Sequence, residues 1–229
     1  MVDKVISNNV VTVVGIVKDN PVFSHEMYGE DFYNVFLIVP RLSEVSDVLP
    51  VTISERLMVD INIEKGTQMA IDGQLRSYNK YIDGSNKLIL TVFARNISLP
   101  NEDYKNPNQI FLDGYICKKP VYRTTPFGRE ITDMLIAVNR PYNKSDYIPC
   151  IAWGRNARYS EKLNVGDRIK IWGRIQSREY QKKISEEEVI TRTAYEVSIS
   201  KMEVIDKSAD KSKTTVKSAD TDADDNDVE

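Results

Sequence analysis

The chain has 229 residues, 41% of them hydrophobic, enough for two small domains with cores of their own. No run approaches the roughly 20 apolar residues of a membrane span, and residues 1–4 lack the basic and apolar start of a secretion signal, so a cytoplasmic protein without a membrane partner is expected. The net charge of −3 is an average over unlike parts: Lys plus Arg against Asp plus Glu is 10 to 14 in residues 1–107, 17 to 12 in residues 108–205 and 4 to 8 in residues 206–229, that is −4, +5 and −4.

In chain order, strand signals fall at 10–17, 34–39, 69–75 and 88–94, and again at 110–116, 132–138, 148–153, 168–175 and 194–199. One short helix is expected in each series, at 55–61 and 156–163, each followed by a glycine, Gly66 and Gly166, that turns the chain into the next strand. The two series are repeats. Gly15, Pro21, Gly29, Arg41, Asp47 and Pro50 recur 99 residues later as Gly114, Pro120, Gly128, Arg140, Asp146 and Pro149, and Gly66, Gly73 and Ser77 recur 100 later as Gly166, Gly173 and Ser177.

Glycines and prolines mark turns and close backbone approaches, so a shared spacing implies a shared backbone path. The expected fold is all-β with one short helix per domain: two tandem OB-fold five-stranded β-barrels at 1–99 and 108–205, a linker at 100–107 and a disordered acidic C-terminal tail at 206–229.

Binding of a single strand needs cations along the phosphate path and aromatic faces for the bases. Alternation along 168–180 puts Ile169, Ile171, Gly173 and Ile175 on one face and Lys170, Trp172, Arg174, Gln176, Arg178 and Tyr180 on the other. Tyr147, Ile151 and Trp153 share a parity on the preceding strand, with Tyr142 in the hairpin before it and Arg140 nearby. Each has a plainer reading. Trp153 can be core, Trp172 can pack on the other domain or on another molecule, and strand cations can serve as edge protection. Lys182 and Lys183 extend the basic path. At the matched positions the first repeat has Ser43, Val48, Ser54, Ala70, Asp72 and Gln74, keeping only Arg41, Arg76, Tyr78 and Tyr81, so it is expected to serve mainly in assembly.

The second repeat resembles the bacterial single-stranded DNA-binding protein (SSB) family through Leu112-Asp113-Gly114, Thr125-Pro126-Phe127-Gly128, Ile136-Ala137-Val138-Asn139-Arg140, Asp146 to Gly154, Gly166-Asp167, Gly173 to Arg178 and Tyr195-Glu196-Val197. The first repeat matches only the framework, with Gly15, Asp19-Asn20-Pro21, Lys65-Gly66 and Gly73 to Ser77. The resemblance implies an OB fold that binds single-stranded DNA with little sequence preference, in replication, recombination or repair at the bacterial nucleoid. It implies a homodimer that brings four OB folds together. It also aligns Tyr142, Tyr147, Trp153 and Tyr180 with the family's stacking aromatics. Residues 220–229 resemble the acidic tail through which the family recruits replication and repair proteins, without its hydrophobic tip.

Other readings remain open: an OB-fold adaptor in a primosome-like assembly, or a single-stranded RNA binder, since stacking platforms accept either sugar. An enzyme is not expected. His25 is the only histidine, and there is no phosphate-binding GxxxxGK[ST] motif. Cys117 and Cys150 have no CxxC partner, so no metal or other cofactor is expected.

Overall fold

The computed structural model describes residues 8–41, 43–82, 84–100, 106–183 and 189–205. The strands are β1 (Asn9–Val17), β2 (Val22–Met27), β3 (Glu30–Pro40), β4 (Ser46–Ser54), β5 (Gln68–Ile82) and β6 (Ser85–Ser98), then β7 (Asn108–Ile116), β8 (Val121–Thr124), β9 (Glu130–Arg140), β10 (Lys144–Trp153), β11 (Arg168–Lys183) and β12 (Val189–Ile205). Helix α1 (Glu55–Met58) lies between β4 and β5, and α2 (Arg155–Ser160) between β10 and β11. Both are shorter than their sequence signals. Ser54 caps α1 by accepting from the Arg56 amide, whereas α2 opens on Gly154 without a side-chain cap.

Alternation of β-branched residues with polar ones builds each strand, and two closures roll each set of six into a barrel. β1 pairs with β3 as well as β5, and β4 runs parallel to β6. The same pattern recurs as β7 with β9 and β11, and β10 parallel to β12. Leu37, Leu49, Ile71 and Leu75 fill the first barrel, and Leu112, Ile136, Ile148 and Ile169 the second, all fully buried. Gly73 and Gly173 are required where β5 and β11 cross a bulge in β6 and β12. A Cβ at either would lie 2.2 Å from the carbonyl oxygen of Phe93 or Ser198. The facing strand carries one extra residue there in both barrels, beside Asp72/Gly73 and Trp172/Gly173.

Three details depart from the sequence reading. Six strands per repeat replace the expected five, because Pro21 and Pro120 interrupt the ladder and divide the first OB strand into β1 with β2, and β7 with β8. Strand β4 had no signal of its own, since Pro50 and the polar Ser46 and Asp47 break its apolar alternation. Residues 101–105 of the expected linker, and all of the expected tail, lie outside the described residues.

The barrels are joined in two ways. β1 and β7 pair antiparallel from Asn9↔Leu112 to Val13↔Asn108, so one sheet runs β6-β5-β1-β7-β11-β12 through both. Beside this ladder stand two fully buried carboxylates. Asp47 accepts from Arg41 Nη2 at 2.6 Å, from Arg174 Nη1 at 3.3 Å and from the Ser177 amide at 2.7 Å, the last two reaching across from the other barrel. Asp146 repeats the arrangement with Arg140 at 3.4 Å, Arg76 at 3.2 Å and the Ser77 amide at 2.8 Å. Ser77 and Ser177 return the bond through their hydroxyls, which accept from the amides of Tyr147 and Val48.

Asp47→Ala or Asp146→Ala should each lower stability by about 3 kcal/mol, since it strands a cross-barrel amide and two guanidinium groups. Urea unfolding of each variant beside the wild type is the measurement.

Candidate nucleic-acid interface

Alternation along β10 separates core from surface except at Ile151, which shares the parity of Tyr147 and Trp153 and is buried. Asp146, Ile148, Cys150 and Ala152 point inward and are buried, while Tyr147 and Trp153 point outward, 47% and 36% exposed. Trp153 is thus a surface residue. Its indole Nε1–H donates to Ser198 Oγ on β12 at 3.1 Å, which fixes the ring without enclosing it. Tyr142 stands in the β9–β10 hairpin, 93% exposed, and takes φ of 61° there, with Asn143 at 54°. A bulky residue in the left-handed region is costly, so the turn presents this ring at the expense of local stability.

On β11, Arg178 lies over the ring of Tyr180 at 5.9 Å and 3.8 Å from Glu196. Tyr180 opens onto a groove of about 360 Å³ between the barrels, lined by Pro149 and Tyr195 from the second and Phe36, Pro50 and Leu88 from the first. Those first-barrel residues escaped the sequence reading because they come from three strands that only the fold brings beside Tyr180.

The expected cationic face of β11 is divided by its surroundings. Gln176 is buried and donates to Glu196. Arg140 and Arg174, read from the sequence as phosphate contacts, turn into the junction, where Asp146 and Asp47 hold them. Burial and the nearby Arg41 lower the pKa of Arg174, while the hydrogen bond that Arg41 donates to Asp47 raises that of Arg41. Both stay cationic, because a guanidinium is not deprotonated in proteins. The side chains of Lys182 and Lys183 lie outside the described residues.

Trp172 and Lys170 belong to a different surface, the outward face of the shared sheet. Trp172 packs against Phe111 with ring centroids 5.1 Å apart, and Lys201 Nζ stands 4.6 Å over its ring. The β-ladder registers place Val10, Phe111, Trp172 and Lys201 in one row. Lys170 lies between Asp113 and Glu203 in the same registers.

In the first barrel the positions of Tyr147 and Trp153 hold Val48 and Ser54, as the repeat implies. It nevertheless has aromatics of its own nearby. Gly73 faces Ala94 as Gly173 faces Ile199, so Phe93 takes the place of Ser198, and it packs on Phe32 at 5.8 Å. The exchange of Trp153–Ser198 for Ser54–Phe93 is invisible strand by strand.

Residues 107–205 match the profile of the Single-strand binding protein family. Over 81 residues the chain is 35% identical to Single-stranded DNA-binding protein 1 of Staphylococcus aureus, covering 32% of this chain and 48% of that one. The chain spans about half the length of the curated relatives it matches. Among solved structures, the wild-type single-stranded DNA binding protein from Thermus aquaticus superposes with a TM-score of 0.69 at 22% identity, over 87% of this chain and 93% of that one, which establishes the tandem OB fold. The N-terminal domain of a PriB protein from Thermoanaerobacter tencongensis, solved as a dimer, is 56% identical over 42% of this chain and the whole of that one, with a TM-score of 0.37.

The two tryptophans should differ in accessibility. A Trp172→Phe variant, which leaves Trp153 as the only tryptophan, should be quenched by acrylamide more strongly than a Trp153→Phe variant; equal quenching would place both rings alike.

Proposed function

We propose that this chain, which belongs to the single-strand binding protein family through residues 107–205, binds single-stranded DNA without catalysis, mainly on its second barrel. The observation that carries the reading is the outward placement of Tyr147 and Trp153 on β10. Two large aromatic rings stand exposed at either end of that face of β10, with the buried Ile151 between them, and bases supply the partners they lack. Tyr142 and Tyr180 continue the platform on either side, and Arg178 supplies charge beside Tyr180. The interbarrel groove lets the strand pass from Tyr180 toward Phe36 of the first barrel. Protection of single strands in replication, recombination or repair follows from such non-specific binding. Residues 1–99 and 108–205 act as two units, with the acidic segment 206–229 left to contact other proteins.

Arg140 and Arg174 position the barrels rather than the nucleic acid. Trp172, with Val10 and Phe111, forms an apolar patch on the shared sheet, suited to a second molecule of this chain and hence to a dimer of four OB folds. No helix among the described residues is long and apolar enough to cross a membrane.

Replacing Trp153 or Tyr147 by alanine should weaken oligo-dT binding by about 1–3 kcal/mol each, while Val48→Ala in the first barrel leaves it nearly unchanged. Fluorescence titration measures the loss, and a melting curve of each variant separates lost stacking from lost folding. Affinity should also fall as salt rises, with duplex DNA far weaker than oligo-dT; equal binding of duplex and single strand would end the stacking reading.

Light scattering should give the mass of a dimer for the wild type. Trp172→Glu should give a monomer that still binds a short oligo-dT, and a dimer that survives this change would move the assembly surface elsewhere.

A further inference from the structure

The turn between β8 and β9 carries an aromatic ring that the fold does not use. The turn closes on itself through its backbone and one hydroxyl: the Thr125 amide donates to the Arg129 carbonyl at 2.8 Å, the Gly128 amide to the Thr125 carbonyl at 2.9 Å and the Arg129 amide to Thr125 Oγ1 at 3.1 Å. Pro126 presets the backbone for such a turn, and Gly128 takes the left-handed φ of 73° that completes it. Phe127 stands at the tip, 91% exposed. None of the three bonds involves its side chain, and a ring left in water forgoes the burial through which aromatic residues stabilise a fold.

The β-ladder puts this turn at one end of the aromatic platform. Trp153 pairs with Ile131, Ile131 with Arg123, and Glu130 with Thr124 as the last step before the turn. β10 leaves the sheet at the same level, where the Gly154 amide donates to the Glu130 carbonyl at 2.9 Å. Phe127 is four residues from Ile131 along the chain, so its backbone lies within about 14 Å of the partner of Trp153. The charges at this end are balanced. Arg123, Arg129, Arg155 and Arg158 meet Glu130, Asp133, Glu161 and Glu196, with Arg123 bonded to Asp133 and Arg158 to Glu130. Phosphate is therefore neither gathered nor repelled there, and what the turn offers is its ring.

The first barrel is the contrast. Its matched turn, 99 positions earlier, carries Tyr28, 99% exposed. Glu26, Glu30 and Asp31 flank that turn, Glu55 accepts from the Asp31 amide, and Arg56 pairs with Glu30. Ser54 stands where the second barrel has Trp153, and the rings of this face are closed on one another, His25 on Phe32 at 5.0 Å and Phe32 on Phe93 at 5.8 Å.

We infer that Phe127 stacks on a base of the bound single strand and extends the platform beyond Trp153, over the β8–β9 turn. The inference rests on the proposed function, because it lengthens the same path. The strand runs from Tyr142 and Tyr147 past Trp153 and reaches Phe127, which adds a stacked base without adding a phosphate contact. Tyr28 has an acidic approach and no open ring leading to it, so it adds nothing to the path.

A tryptophan placed at the turn tests this directly. In the full chain, a Phe127→Trp, Trp153→Phe, Trp172→Phe variant should be quenched by oligo-dT of about 16 nucleotides, the upper site size of one OB fold. Phe127→Ala should bind the same oligonucleotide about fivefold more weakly or worse. The slope of affinity against salt should not change, since no cation is lost. Tyr28→Ala should bind as the wild type does, and melting curves should show both alanine variants folded.

Wild-type affinity in Phe127→Ala, an unquenched tryptophan at the turn, or an equal loss in Tyr28→Ala overturns the inference. A loss that comes with a shallower salt slope overturns it in favour of the neighbouring arginines, and a loss that comes with a smaller mass in light scattering overturns it in favour of a contact between molecules. Trp153 read in parallel, in the Trp172→Phe variant, keeps the two readings apart. Quenching of Trp153 without any effect at Phe127 strikes this inference and leaves the proposed function standing, whereas quenching at neither position strikes both.

Discussion

Two buried carboxylates hold the two halves of this molecule in register. Asp47 and Asp146 each accept a backbone amide and a guanidinium from the opposite barrel, while a guanidinium of their own barrel fills a further lone pair. A carboxylate taken out of water is costly unless its lone pairs are filled, and only the correct placement of the neighbouring barrel fills them. The pair therefore acts as an orientation lock beside the β1–β7 ladder. An antiparallel ladder alone tolerates a shift of register, and the two-sided lock does not.

The junction is built largely from repeated positions: Arg41, Asp47 and Ser77 in the first half correspond to Arg140, Asp146 and Ser177 in the second. The arginines that cross it do not, since Arg174 and Arg76 stand where the other half has Gln74 and Gln176. At Val48 against Tyr147 and Ser54 against Trp153 the halves differ in side chain only: the amides of Val48 and Tyr147 both donate to a serine of the other barrel, while the rings of Tyr147 and Trp153 are exposed. Only the second half carries exposed aromatic rings at these positions, and the first instead packs Phe32 on Phe93.

The groove between the barrels follows from the same lock. Phe36, Pro50 and Leu88 meet Pro149, Tyr180 and Tyr195 only because the junction fixes the angle between the halves. Tyr180 thus faces an apolar wall of the first barrel rather than open solvent. The halves differ in charge as well, −4 in residues 1–107 against +5 in residues 108–205, and the proposed function draws phosphate toward the second.

Much of this was legible in the sequence, for reasons that are local. Glycine and proline spacing revealed the repeat because turns and close approaches depend on single residues, and period-2 alternation identified Tyr147 and Trp153 as sharing a face. Alternation could not say whether that face was core or surface; burial of Ile148, Cys150 and Ala152 decided it. Nor could it distinguish an arginine aimed at phosphate from one aimed at a carboxylate in another barrel. Arg140 and Arg174 share a strand face with aromatics, yet their partners, Asp146 and Asp47, are set by tertiary contact, for Arg174 with a residue 127 positions away. The grouping of His25, Phe32 and Phe93 was likewise hidden, because its members lie on three strands. The sequence by itself determined the two barrels, their strands other than β2, β4 and β8, and the rings along β10, since each rests on neighbours in the chain. Only the tertiary structure decided which charges face the junction, which rings face solvent and where the two halves meet, since each depends on groups that folding brings together from distant strands.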